Sequence, residues 1–143
     1  MYISARSDYA MQAMLVIAAE SATGKPVQAA TLAARQQIPY SFLQGTLVAL
    51  RHAGLLISHR GTRGGYTLAR PAAAISVGDV LRAVSGDLII RRGQPGEEAY
   101  FGAAAGLRGF WPTVNAAASE ILDSTTLADL HPHELNAAAG IAS

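Results

Sequence analysis

Apolar residues recur in two different rhythms between residues 28 and 70, and the change of rhythm marks the elements. From Tyr40 to Ala53 the spacing is helical: Leu43, Leu47 and Leu50 fall four and three apart on one face. At 100° per residue, Ser41, Gln44, Gly45, Val48 and His52 lie on the opposite side. One face is therefore apolar enough to dock on a core, and the other is small and mostly polar. A shorter apolar stripe begins at Leu32 and Ala33 and ends at Ile38-Pro39, with Pro39 opening the next helix, where its missing N–H costs nothing. Gly54 stops that second helix. Beyond it the rhythm becomes that of strands. Leu55–Arg60 and Tyr66–Ala69 are two β-prone runs around Gly61-Thr62-Arg63-Gly64-Gly65, whose glycines permit positive φ. Helix, turn, helix, then a hairpin with a basic tip is the layout of a winged helix.

The flanking segments complete a mostly helical chain. Residues 4–20 predict a long, largely buried first helix carrying Tyr9, Ala13, Met14, Leu15, Ile17 and Ala18. Ser76 is a good N-cap for a helix through Val77, Val80, Leu81 and Val84, which Gly86 would stop. Residues 87–106 are irregular, with Leu88–Ile90 as a possible short strand and 91–96 as a loop. A last helical stripe runs through Leu107, Phe110, Val114, Ala117 or Ala118, Ile121 and Leu122, and Pro112 predicts either a kink or a start there. Thr126 to Leu130 predicts one further turn, and Ala137 to Ser143 a loose tail. The expected fold class is mostly α with a small β hairpin. A winged helix-turn-helix domain is expected over residues 1–75. A linker, an effector-type loop and a dimerisation helix are expected over 76–143.

Charge and composition narrow the function. The 143 residues carry a net charge of +1, half of them are hydrophobic and 15% are charged, so a core is affordable. Residues 1–75 hold seven Lys/Arg against Asp8 and Glu20, a net of +5, whereas residues 76–143 hold four Arg against eight acids, a net of −4. A basic half containing the winged-helix pattern is suited to DNA, and the acidic half to a different task. Its second helix fits a major groove, and the wing can reach phosphates or the adjacent minor groove. Gln44 can pair bidentately with adenine, and Ser41 can bond a base or a phosphate. Val48, His52, Arg60, Thr62 and Arg63 complete the candidate DNA-binding set, and Gly45 permits close approach of the backbone.

Two other classes stand beside DNA binding. A winged helix can serve as a protein-interaction module, and the glycines can be a tight turn without chemistry. They are not a phosphate-binding P-loop, since no Gly-Lys-Ser/Thr follows. An enzyme is the least supported class, and no catalytic residue is assigned. His52 and His59 lie in the reading helix and wing strand, while His131-Pro132-His133-Glu134 reads as a surface loop rather than a metal site. With no cysteine, disulfides, thiol catalysis and thiolate-bound metals are excluded. No run of 18 apolar residues and no basic-then-apolar leader occurs, so a cytoplasmic chain with no membrane partner is expected.

The residues also carry a resemblance. MYISARSDYAMQAMLVIAA, IPYSFLQGTLVALRHAGLLISHRGTRGGYTLARP, ISVGDVLRAVSG and TLADL together resemble the Rrf2 family of bacterial transcription regulators over nearly the whole chain. The resemblance implies a homodimeric winged-helix repressor or activator, with a long C-terminal helix that crosses over in the dimer. It implies, too, an iron–sulfur sensor in well-known members, held by three cysteines in the segment matching about Arg92 to Gly106. This chain departs there, because that segment has no cysteine. Asp8 matches a position that contributes a ligand in one cluster-bearing branch, although a first-turn acid beside the helix dipole accounts for it without a metal. Gln44-Gly45 stands where relatives often have Glu-Gln, so an operator sequence does not transfer.

The resulting expectation is a regulator, read as a repressor, that binds a double-stranded operator as a homodimer and without a cofactor. Leu107, Phe110, Val114, Ile121 and Leu122 are expected at the dimer interface. A small-molecule effector is expected near residues 91–106, with Arg91, Arg92, Tyr100, Phe101 and Trp111 as a candidate lining for an anionic or aromatic ligand. Simple packing of those aromatics is the equal alternative.

Overall fold

The computed structural model describes residues 3–85 and 100–131. Five α-helices and one hairpin follow in the order α1 (Ala5–Glu20), α2 (Ala29–Gln36), α3 (Tyr40–His52), β1 (Leu56–His59), β2 (Gly65–Leu68), α4 (Val77–Ser85) and α5 (Leu107–Ser124). Short 3₁₀ turns occupy Ser21–Thr23, Ala72–Ala74 and Gly102–Ala104.

Each boundary has a local cause. Ser4 caps α1, its hydroxyl accepting from the Ser7 N–H at 3.1 Å. Asp8 sits exposed in the first turn and accepts from Gln12 at 2.6 Å. α2 ends where Gln37 turns into the left-handed region at φ 54°, and Pro39 then stands as N-cap of α3. Past α3, Gly54 at φ 78° reverses the chain, its N–H donating to the Arg51 carbonyl at 2.9 Å. Ser76 and Asp79 make a reciprocal capping box at the start of α4, each donating a backbone N–H to the other's side chain at 3.0 Å.

One hydrophobic core joins these elements. Met14 and Ile17 of α1, Leu32 of α2, Leu43, Leu47 and Leu50 of α3, and Leu55 and Leu56 at the hairpin all lie within it. Ile75 precedes α4, Val80 and Val84 belong to it, and Leu127 follows α5; all four lie in the same core, so packing is continuous across residue 75. A hydroxyl pair, Ser7 to Ser85 at 2.8 Å, ties α1 to α4.

β1 and β2 pair antiparallel with Leu56 opposite Leu68 and His59 opposite Gly65. Val27 extends the sheet by one bridge, exchanging two 2.9 Å hydrogen bonds with Tyr66. The tip glycines do different work. Gly61 (φ 101°) and Gly65 (φ 139°) need the left-handed region, and a Cβ on Gly65 would lie 2.6 Å from the Val27 backbone. Gly64 has no positive φ; a side chain there would run into the His59 carbonyl. Space, and not φ, fixes that residue.

Pro112 neither starts nor ends α5: it lies in the second turn of an uninterrupted assignment from Leu107. The C-terminal end of this helix is fastened to α4. Arg82 donates to Asp123 at 2.6 Å, and the Val77 N–H donates to the Thr125 carbonyl at 2.8 Å. Gly78 makes the approach possible, since a Cβ there would collide with the Asp123 carboxylate. Leu127 then returns to the core, with its N–H on the Ile75 carbonyl at 2.9 Å. The expected strand at Leu88–Ile90, the stop at Gly86 and the tail after His131 lie outside the described residues.

Candidate nucleic-acid interface

α3 supplies a face that stays exposed among the described residues. Leu43, Leu47 and Leu50 are fully buried against α1, α2 and α4. Ser41, Gln44, Gly45, Val48 and His52 are all exposed, as their place on the opposite side of the helix predicts. Gly45 has open space where a Cβ would be, so its missing side chain serves access and not packing. His52 lies 3.3 Å from an Arg51 guanidinium nitrogen in the last helical turn, where cations are favoured.

Two aromatic residues at the start of α3 are part of this surface, and residue pattern alone did not single them out. Tyr40 and Phe42 remain 48% and 45% exposed. Phe42 meets the edge of Tyr9 in α1, with ring centroids 5.5 Å apart at 84°. Thr46, polar by type, is buried instead, its hydroxyl donating to the Phe42 carbonyl at 3.2 Å. Back-bonding to the preceding turn satisfies it, which a polarity pattern cannot foresee.

The wing stands beside the start of α3. Tyr40 shares a cleft of about 370 Å³ with Ser58, His59 and Gly61 of the hairpin and with Gln28 before α2. Gln28 fixes the relation of the parts: its side-chain amide donates to the Thr62 carbonyl at the wing tip, 3.1 Å away and 34 residues later. Arg60, Thr62 and Arg63 are exposed, and neither arginine side chain has an ion pair among the described residues. His59 is engaged instead with the Thr67 hydroxyl at 2.8 Å, which holds the outer face of the hairpin together. A polar helix face, two unpaired guanidiniums and a braced hairpin form one surface, capable of base contact from α3 and phosphate contact from the tip.

The second half of the chain behaves differently. No residue of α5 is buried, and Phe110, Val114 and Ile121 are 54%, 43% and 65% exposed. Leu107 and Leu122 are half-buried within the monomer, so the expected stripe is only partly free. Of the candidate effector residues, Arg91 and Arg92 lie outside the described residues. Phe101 is 73% exposed, Trp111 lies tilted against Phe110 with ring centroids 5.1 Å apart at 59°, and the Tyr100 carbonyl accepts from the Arg108 guanidinium. The clefts of about 680 and 370 Å³ beside the wing have none of these residues in their lining. Among the described residues no group of three His, Asp or Glu side chains could hold a metal, and no helix is long and apolar enough to cross a membrane.

Comparison with known proteins gives this surface a context. Residues 3–133 match a family model described as Rrf2, iron-dependent transcriptional regulator. A protein of Mycobacterium tuberculosis named as an HTH-type transcriptional regulator is 42% identical over 131 residues, covering 91% of this chain and 81% of its own. The HTH-type transcriptional regulator IscR of Yersinia enterocolitica is 36% identical over 130 residues, covering 91% and 79%. Among solved structures, CymR, the global cysteine regulator of B. subtilis, superposes with a TM-score of 0.78 at 31% identity, covering 91% of this chain and 95% of that one. The IscR of T. potens gives 0.74 at 32% identity, covering 91% and 85%.

Proposed function

This chain belongs to the Rrf2 family of DNA-binding transcriptional regulators, and on that premise we propose that it acts as a homodimeric repressor on a two-fold operator. The observation that carries the reading is the contrast on α3. Its three leucines are fully buried, whereas Ser41, Gln44 and Val48 stand exposed beside the unpaired Arg60 and Arg63 of the wing. Gln44 reads an adenine in the major groove, Ser41 bonds a base or phosphate, and Val48 offers an apolar contact for a thymine methyl. Tyr40 joins this set at the groove between helix and wing. Residues 1–75 carry the reading surface, and residues 76–143 carry the assembly.

Dimerisation rests on α5. Phe110, Val114 and Ile121 remain exposed along a helix that is docked to α4 through Asp123, and a second copy of α5 is the partner that would cover them. Leu107 and Leu122 take part at the edge of that contact. Two reading helices are then presented to half-sites one helical turn apart.

The word iron-dependent describes the family, and the donor set of this chain does not fit an iron–sulfur cluster. Clusters need mostly thiolate ligands, the sequence has no cysteine, and Asp8 is held by Gln12 on the surface of α1. We read the protein as a cluster-free member that answers another signal. Such a signal regulates only if it binds one spacing of the two reading helices better than another. Anaerobic purification followed by iron and sulfide analysis tests the first part: stoichiometric amounts of both would overturn it. Binding to an operator duplex tests the reading surface itself. Arg63→Ala should weaken specific and non-specific binding together, reducing the salt slope by about one. Normal binding by this variant at every salt concentration would leave the wing a purely structural hairpin.

A further inference from the structure

The larger of the clefts beside the wing shares Gln28 and Gly64 with the cleft at Tyr40 but does not include Tyr40 itself. It has a volume of about 680 Å³, and among its lining residues are Glu20 at the end of α1, Lys25 in the following loop, Thr31 and Arg35 of α2, and Arg63 at the wing tip. Three cations and one acid give this hollow a net charge of +2. The acid is committed: Glu20 pairs with Arg35 at 3.2 Å. Lys25 and Arg63 have no ion pair or side-chain hydrogen bond among the described residues. No aromatic side chain is among its lining residues, so the hollow offers no stacking surface.

We propose that the Lys25, Arg35 and Arg63 cleft is a second phosphate-binding site, separate from the reading face of α3. A guanidinium matches the geometry of two phosphate oxygens, and an ammonium adds a compact charge from the third side. The position couples the site to DNA, because Arg63 belongs both to the wing tip and to the rim of the cleft. The backbone that positions Arg63 is braced by the Gln28–Thr62 hydrogen bond and by the close approach of Gly65 to Val27. A phosphate held in the cleft therefore either extends the DNA footprint beyond the wing or, as a free phosphorylated molecule, draws Arg63 away from the duplex. The first source rests on the DNA-binding reading above; the second does not.

The test uses the full-length protein with Lys25→Gln, Arg35→Gln and Glu20→Gln, all at solvent-accessible side chains. Binding to an operator duplex with long flanks is measured from 50 to 200 mM salt, and inorganic phosphate is titrated into each variant without DNA. If the source is the duplex, Lys25→Gln lowers the salt slope by about 0.9, so that affinity falls roughly threefold less over that fourfold rise in salt. Glu20→Gln should tighten binding, a change of opposite sign that mere loss of structure does not give. If the source is a free anion, inorganic phosphate binds saturably, weakens with Lys25→Gln and Arg35→Gln, and competes with the duplex. Unchanged salt slopes together with no variant-sensitive phosphate binding would overturn the site. Retained sequence selectivity in those same variants would show that the inference alone had failed, whereas a wild-type chain without selectivity would count against the DNA-binding reading, leaving the phosphate titration to decide the cleft.

Discussion

α3 and α5 are both amphipathic, yet they meet opposite fates in the monomer. α3 buries Leu43, Thr46, Leu47 and Leu50. α5 is longer by five residues and buries none. The difference lies in what surrounds each stripe. α3 is enclosed by α1, α2, α4 and β1, so its apolar side is sealed by this chain alone and its polar side is left free. α5 is held to α4 at its C-terminal end through Asp123 and Thr125, and its Phe110, Val114 and Ile121 face outward. A helix completed by its own chain can present a reading surface; a helix left incomplete supplies the reason for a second chain.

The sharpest way to break that contrast is to charge the open face of α5. Deleting residues 107–143 is the wrong instrument, because it also removes Leu127 from the core and Asp123 from Arg82. Phe110→Glu with Ile121→Glu leaves both in place. The double variant should sediment as a folded monomer, and operator affinity should fall about 10²- to 10⁴-fold as the two half-sites lose their linkage. A variant that remains a dimer would put the interface elsewhere.

The buried side of α3 gives the next effect. Leu47→Ala should lower stability by about 2–5 kcal/mol through lost burial and a residual cavity, measured by urea unfolding. Val48→Ala, one residue away on the exposed side, should cost less than about 0.5 kcal/mol. Equal costs would mean that the reading face is also packed.

A smaller change separates the roles of the wing glycines. Gly65→Ala places a Cβ 2.6 Å from the Val27 backbone at φ 139°, and should destabilise by about 1–3 kcal/mol. Gly61→Ala meets open space and faces only the penalty of its φ. Comparing their unfolding midpoints distinguishes collision from backbone strain.

The smallest expected effect is at the α4–α5 junction. Backbone hydrogen bonding from Ser76, opposed by some burial and aided by Arg82 and Arg70, holds the Asp79 carboxyl below its ordinary 3.8. A carboxylate depressed in the folded state stabilises at pH values above its unfolded pKa. That contribution is lost as pH falls from about 4 through the lower folded value. Asp79→Asn should therefore flatten the acid limb of stability against pH, by less than about 1 kcal/mol because the group is partly exposed. An unchanged acid limb would remove Asp79 from the account.

Local rules made much of this legible in the sequence. Leucine spacing placed both faces of α3, Ser76 announced α4, and the glycine-rich hairpin predicted a wing at the residues where it stands. What escaped the sequence depends on distant partners. Gln28 reaches Thr62 across 34 residues, and Gly78 matters only because Asp123 arrives beside it. Pro112 pointed to a kink or a start, and the start is not realised: near the beginning of a helix its missing N–H removes only one early bond, and α5 runs through it. The cation cleft was invisible because Lys25, Arg35 and Arg63 come from three separate elements.

Selection of operators from a randomised duplex library, with the wild-type chain and Gln44→Ala run side by side, decides whether α3 reads bases. The wild type should enrich a two-fold symmetric motif, its half-sites roughly 34–36 Å apart centre to centre. Gln44→Ala should keep that motif but relax one position in each half-site, a loss of about 1–3 kcal/mol of discrimination. Enrichment of no motif by the wild type, or an identical motif from both proteins, would contradict base reading by α3.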